Sequence, residues 1–510
     1  MVTNKNLFYQ LIENLSNKNL PFLKTALGIS FSYRDMINIS GQYANALVGL
    51  GIKKNDRIIV QSEKQIECIW LYLACLRIGA IYITINPAYT VSETVFFLQD
   101  AKPKLFVTNN IKENKALNTI LLDNDVSTII DTKDKDKNSF TAVTKLAKTK
   151  FETCFSQGEE TAAILYTSGT TGQSKGALLS HSNLFSNAKA LSEVWEFSSK
   201  DILLHILPIY HTHGLFVAFN TVIASNSSIL FLEKFNAAEV INTLSKISVM
   251  MGVPTHYIRL LNEKNFVKSV VKDIRLFISG SAPLSPQIHQ RFKKITGLSI
   301  LERYGMTETN MITSNPYRNK RKPGTVGLPL PNVMVRVTNI ANGGQVTDGI
   351  VGGIEVKGPN VFKGYWQMPE KIKTDFCTDG YFKTGDLGYI DADGYLNISG
   401  RSKDLIISGG LNVYPAEVEK IVDTLEGVAE STIIGLPHDD FGEGVTAVVV
   451  FKNDFHFDEA ALRKLIGNKL ASFKVPMRII IRESLPKNAM GKIQKNLLRE
   501  EYNNLYIKNQ

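Results

Sequence analysis

The densest run of chemistry-bearing side chains is Tyr166-Thr167-Ser168-Gly169-Thr170-Thr171-Gly172-Gln173-Ser174-Lys175-Gly176. Its eleven residues hold five Ser/Thr hydroxyls, three glycines and one lysine. Glycines let backbone N–H groups approach an anion, the hydroxyls add donors, and Lys175 adds charge. That combination suits a polyphosphate. It is not a Walker A loop, which needs glycine directly before the lysine, where this chain has Ser174. An ordinary surface turn is the plain alternative, but so many donors without one aliphatic side chain make a poor structural turn.

Six further segments carry polar groups at motif-like spacing: Ser279-Gly280-Ser281-Ala282-Pro283-Leu284, Tyr304-Gly305-Met306-Thr307-Glu308-Thr309, Thr384-Gly385-Asp386, Gly400-Arg401-Ser402-Lys403-Asp404, Gly409-Gly410-Leu411-Asn412-Val413-Tyr414-Pro415 and Pro486-Lys487-Asn488-Ala489-Met490-Gly491-Lys492. With the hydroxyl loop, and in the same order, they resemble the adenylate-forming superfamily of acyl-CoA synthetases, luciferases and peptide-synthetase adenylation domains. The resemblance spans almost the whole chain. It implies ATP and CoA as co-substrates and Mg²⁺ as the metal. Thr167 to Gly176 would hold phosphates, Gly280, Ser281 and Ala282 the adenine, and Tyr304 and Gly305 the nucleotide. Thr307 would stand near the metal, with Glu308 and Thr170 as its ligands. Asp386 would hold the ribose, Lys403 would be the hinge pivot, Gly409 and Gly410 would line the thioester channel, and Lys492 would be the catalytic lysine.

The chemistry can be argued from the side chains as well. A carboxylate attacking the α-phosphorus of ATP meets a like-charged partner, so the barrier is largely electrostatic. Lys175, the hydroxyl loop and a cation on Glu308 would neutralise the phosphates. Asp386 could accept both ribose O–H groups, Arg401 could add donors, and Lys492 could bridge carboxylate and phosphate. Each has a duller alternative: a turn cap for Asp386, an ion pair for Glu308, a solvated surface group for Lys492. A thiol must then reach the acyl carbon from another side. By resemblance, the small domain turns about Lys403, withdraws Lys492 and presents Gly409-Gly410, where a narrow channel leaves no room for side chains.

The acid is expected to be short and doubly charged. Arg303 precedes Tyr304, Arg259 lies in Met250–Arg259, and His211-Thr212-His213-Gly214 follows Leu207-Pro208-Ile209-Tyr210. A buried arginine is costly without an anion, and its planar fork matches a carboxylate. Leu207–Phe219, Met250–Pro254, Leu276–Leu284, Glu302–Pro316 and Gly358–Glu370 look very like the malonyl-CoA synthetase branch of the superfamily. There Arg303 and Arg259 would hold the free carboxylate, and His211, Thr212 and Met306 would border the acyl pocket. His256 departs from that branch, where an aromatic is usual. Alternatives stay open: Arg303 could pair with Glu302, and Arg259 could be a solvated helix residue; His211 with His213 could suggest a metal pair but lacks a third ligand, so a pocket or aromatic-stacking role is expected of them. The expected substrates are malonate, possibly methylmalonate, with ATP and CoA. The rivals are a ligase for acetate, propionate or succinate, a loader of carrier proteins, an NTPase and a non-catalytic nucleotide sensor.

The elements that must position these groups alternate helices with short apolar strands through the first 400 residues, as in parallel α/β folds. Runs at Ile81–Ile85, Leu105–Val107, Ala162–Tyr166, Ser228–Leu232, Ser248–Val253 and Leu276–Ser279 predict strands, and helix-like residues begin near Ser182. Ser62-Glu63-Lys64-Gln65 predicts a capping box before a helix ending at Gly79. After Pro323, Val333–Thr338, Gly353–Lys357 and Gly394–Gly400 predict a β-rich subdomain. Beyond it, strands Ser431–Leu436, Val445–Phe451 and Arg478–Ile481 and a helix Asp458–Ser472 predict a small mobile α+β unit. The expected division is a large domain, 1–402, including the β-rich part at 323–402, and a C-terminal lid domain, 403–510.

The composition fits a globular chain: 510 residues, 44% hydrophobic, 21% charged. The formal charge of +10 suits anionic ligands, but Asp131–Lys150 shows that lysine-rich composition alone supplies much of it. No Arg/aromatic interleaving points to nucleic acid. Four cysteines without C-x-x-C spacing support neither a zinc site nor a redox pair. With no apolar leader and no spanning stretch, a cytoplasmic location is expected.

Overall fold

The computed structural model describes residues 3–108, 121, 126, 128–131, 140–167, 174–452, 459–488 and 490–506. Ser168, Gly169, Thr170, Thr171, Gly172 and Gln173, the start of the expected helix at Asp458, Ala489 and residues 132–139 of the lysine-rich stretch lie outside the described residues.

Two large sheets carry the α/β part. One has six strands in the order Thr128–Asp131, Leu105–Thr108, Arg57–Gln61, Ile81–Thr84, Thr161–Thr167 and Lys175–Ser180. All neighbours are parallel except the last pair, which is an antiparallel hairpin. The other has nine strands, with a parallel centre formed by Leu301–Met306, Leu276–Ser279, Val249–Gly252, Ile202–His205, Ser228–Phe231 and Pro21–Thr25. Helix Ile66–Ile78 is buried continuously from Cys68 to Ile78. A helix apolar on every side belongs in the middle of a core, and its two cysteines are core thiols. Lys64 ties the sheets together: its ammonium donates to the carbonyls of His205 at 2.9 Å and Leu232 at 2.6 Å. Burial holds its pKa well below the usual lysine value.

A four-stranded antiparallel sheet follows, Met334–Thr338, Gly352–Lys357, Phe382–Ile390 and Leu396–Arg401. The last unit is a five-stranded sheet built around the long hairpin Val428–His438 and Gly442–Phe451, packed on helices Pro415–Val422 and Glu459–Gly467. The chain is therefore a mixed α/β fold with a large N-terminal part and a small C-terminal one. Among the described residues, no helix is long and apolar enough to cross a membrane.

Two local expectations fail, and two strands arise where none is expected. The helix after Ser62 starts at Ile66 with Gln65 as its N-cap, and the Gln65 amide donates to the Ser62 hydroxyl at 2.8 Å, so the two side chains bind each other rather than closing a capping box. Strand Lys175–Ser180 comes between the hydroxyl loop and helix His181–Val194. Strand Phe382–Ile390, which carries Asp386, has no clean alternation because glycines and a register shift interrupt it. The helix expected to reach Ser472 stops at Gly467.

Candidate active site

The carboxyl ends of the parallel strands Ile202–His205, Val249–Gly252, Leu276–Ser279 and Leu301–Met306 open on one side of the nine-stranded sheet, where open α/β sheets bind ligands. Alternation along Leu301–Met306 separates Glu302 from Arg303. Glu302 faces His289, with 3.5 Å between Oε1 and Nδ1, and accepts the Gly324 N–H at 3.1 Å. Arg303 is 4% exposed, and its Nε and Nη2 have no hydrogen-bond partner among the described residues. The guanidinium lies flat on Gly280, where a Cβ would sit 2.3 Å from Cζ. Burial lowers its pKa to about 9.

More donors and acceptors without a partner among the described residues lie on the neighbouring segments. His213 opens a π-helical segment, His213–Asn220. Its Nδ1 is 3.1 Å from the Ser281 hydroxyl, while its Nε2 is buried and unpartnered. The Thr212 and Ser279 hydroxyls are likewise buried without partners. Ser281 has φ +72°, in the left-handed region, which turns the chain immediately after Gly280. Burial pushes the His213 imidazole well down, with Arg303 adding to the effect. Burial lowers His211 to about 4, and its ring lies 4.6 Å from that of Tyr210. Both histidines are neutral near pH 7. No group of three His, Cys, Asp or Glu able to hold a metal occurs among the described residues. Met306, half-buried, ends the Arg303 strand.

Arg259 stands at the edge of this cluster, its charge acting on His256, which in turn acts on His213. On helix Pro254–Leu261 the inward positions go to Tyr257, Leu260 and Leu261. Arg259 is exposed, with its guanidinium 5.9 Å from the centre of the Phe235 ring. The carboxylate-holding role expected of it stays a proposal. His256 takes the place expected of an aromatic and stacks on Phe235 at 4.3 Å and 9°.

The phosphate and ribose candidates converge from three other elements. Lys175 Nζ lies 5.0 Å from the centre of the Tyr365 ring, and the Tyr365 hydroxyl donates to Glu308 Oε1 at 2.9 Å. One tyrosine thus joins the loop lysine to the carboxylate proposed for the metal. Glu308 is 6% exposed, and burial raises its pKa. Half-buried Thr307 precedes it. Gly176 accepts the Trp366 N–H at 2.7 Å, and a Cβ there would strike Ile164 at 2.8 Å. Thr167 and Lys175 pair across the hairpin, and Ser174 is half-buried beside them. Gly305 lies so close to Asn310 that a Cβ would sit 1.9 Å from its carbonyl oxygen. Asp386 accepts from the Tyr304 hydroxyl on one oxygen and from Arg401 Nε at 2.7 Å on the other. Ala282 is half-buried after Ser281.

Lys492 comes to the same place from the last unit. Its side chain still reaches solvent, yet crowding by the surrounding chain and the Arg401 charge bring its pKa down to about 8, with Asp386 pulling the other way. Gly409 and Gly410 are not gathered there. They form the exposed turn between strands Ile406–Ser408 and Leu411–Val413, with φ +57° and +77°. One participant escapes the sequence reading: Tyr365, whose signal is only the aromatic pair Tyr365-Trp366.

Similarity to known proteins agrees with this geometry. Residues 16–366 match the family described as AMP-binding enzyme, and residues 417–492 match the AMP-binding enzyme C-terminal domain. The chain is 34% identical to a malonate–CoA ligase of Arabidopsis thaliana, over 94% of this chain and 84% of that one. It is 32% identical to a long-chain-fatty-acid–CoA ligase of Bacillus subtilis, over 95% and 93%. The crystal structure of ATP-bound MatB from Rhodopseudomonas palustris superposes with a TM-score of 0.96 at 46% identity, covering 99% of this chain and 100% of that one. The chain belongs to the AMP-binding enzyme family.

Proposed function

We propose that the protein is an AMP-forming acid–thiol ligase that converts malonate, ATP and CoA to malonyl-CoA, AMP and pyrophosphate. The observation that carries the choice of acid is Arg303: a buried guanidinium facing no carboxylate among the described residues, and close to His213, whose Nε2 is likewise without a partner among them. A site built around an unpaired buried cation calls for an anion. The distal carboxylate of a short diacid supplies it, and an alkyl tail does not. Methylmalonate is a natural second substrate, because one methyl alters pocket fit by about 1–3 kcal/mol.

In the first half-reaction a malonate oxygen attacks the α-phosphorus and pyrophosphate leaves. Lys492 would bridge the attacking carboxylate and the phosphate, and Lys175 and the hydroxyl loop would hold the leaving phosphates. Asp386 would exchange Tyr304 or Arg401 for the ribose hydroxyls. Mg²⁺ commonly takes one or two carboxylates and completes its shell with substrate phosphates and water. Glu308, buried and bonded to the Tyr365 hydroxyl, fits that role, with Thr170 as the second candidate. The ion would neutralise phosphate charge. In the second half-reaction the CoA thiol attacks the acyl carbon and AMP leaves. The proposed division at Lys403, between a domain ending at 402 and a lid beginning there, would let Gly409-Gly410 replace Lys492.

The test is malonate-dependent pyrophosphate release, screened against acetate, propionate, methylmalonate, succinate and octanoate, with and without CoA. Malonate should lead, AMP should accumulate, and malonyl-CoA should appear by mass only when CoA is present. Preference for octanoate or acetate would overturn the assignment of the acid, and ADP or orthophosphate would overturn the reaction.

A further inference from the structure

The Lys492 loop places one buried apolar side chain in the core of the large part. Among the described residues beyond 403, the ion pairs close on themselves: Asp404–Arg499, Glu417–Lys474, Glu419–Lys495, Glu430–Lys487, Glu459–Arg478 and Glu501–Arg482. None reaches the large sheets. Met490 does. It is 6% exposed and lies in the main core with residues such as Val253 and Leu301, and no other described residue beyond Phe382 is a buried member of that core. Five positions earlier, Leu485 is buried in the last unit's own core beside Ile434 and Val448. The loop therefore has one end in each core.

Asn488 sets the shape between those ends. Its Oδ1 accepts the N–H groups of Met490 and Lys492, both at 3.0 Å, and its own N–H donates to the Lys492 carbonyl at 2.9 Å. Gly491, at φ +73°, passes so near Thr255 that a Cβ would sit 2.9 Å from Thr255 Cγ2. With the turn fixed, the seat of Met490 dictates where the Lys492 ammonium stands.

We propose that Met490 is a positioning residue for adenylate formation: seated in the large core, it holds Lys492 over the site, and it must withdraw before the thiol step. The proposal rests on the two-step reading above. Burying one such side chain favours the docked arrangement by roughly ten- to a hundredfold. An unbranched thioether can leave and re-enter a core without demanding one shape.

Met490→Ala and Met490→Leu test this on the full-length protein. Met490→Ala should lower kcat for malonate-dependent pyrophosphate release by about tenfold or more, with KM for ATP and malonate little changed. Thioester formation from supplied malonyl-adenylate and CoA should fall by less than about twofold, and Met490→Leu should restore the first step to within about threefold. Hydrogen–deuterium exchange of residues 486–494 with ATP alone reads docking without turnover and should quicken in Met490→Ala only. Equal loss of both half-reactions, or unchanged exchange, overturns the latch. Failure of the unaltered protein to use malonate would instead overturn the substrate reading, and the exchange measurement would still decide the latch.

Discussion

Glu302 and Arg303 are adjacent in the chain and do not neutralise each other: the carboxylate faces His289 and the Gly324 N–H, while the guanidinium lies against Gly280 on the other side of the strand. The ion pair open to them in the sequence is ruled out by strand alternation. What remains is a buried positive charge whose Nε and Nη2 have no partner among the described residues.

Replacing that charge should separate function from stability. Arg303→Leu should cut kcat/KM for malonate by about a hundredfold or more while changing acetate by less than about threefold. The ligand-free protein should become more stable by about 1–3 kcal/mol, since an unpaired buried cation is removed. Chemical denaturation and a two-substrate comparison measure both, and a parallel decline on the two acids would take Arg303 out of the pocket.

Lys492→Ala should abolish most pyrophosphate release, by about a hundredfold or more, yet leave thioester formation from supplied malonyl-adenylate. Equal loss of both steps would refute the division of labour.

The same lysine predicts a pH limb. Its folded pKa lies near 8, below the ordinary 10.5. The ammonium is the useful form, so pyrophosphate release should fall as pH rises through about 8. Between the two values the unfolded chain binds more protons, so this group's contribution to stability rises with pH there. Residual activity of Lys492→Arg should lack the limb, because a guanidinium keeps its proton.

Tyr365→Phe removes the hydroxyl that donates to Glu308. Losing a bond to the charged form of a buried carboxylate raises its pKa further and weakens it as a ligand. The Mg²⁺ concentration for half-maximal pyrophosphate release should rise about tenfold. A magnesium titration checks this, and an unchanged midpoint would detach Tyr365 from the metal.

Gly410→Leu should block thioester formation and spare pyrophosphate release. In the present arrangement no heavy atom lies within 4 Å of a Cβ placed there, so the cost to the fold comes from φ +77° rather than from a clash. Unchanged thioester turnover would locate the thiol channel elsewhere.

Local chemistry is what the sequence determined by itself. Hydroxyls, glycines and lysine packed around Lys175, the acids Glu308 and Asp386, and the order of seven segments depend on residue type and spacing, which survive without a fold. Parallel α/β architecture was legible for the same reason, since buried strands leave uninterrupted apolar runs. Tertiary structure alone decided which groups meet. Residue type alone does not say what surrounds Arg303 or Arg259; a strand carries Arg303 into the interior, while helix packing lays Arg259 over Phe235. The link from Lys175 through Tyr365 to Glu308 joins residues far apart in the chain, and the seating of Met490 brings Lys492 to its place. No local period records such meetings, because they are set by how separate elements share one buried volume.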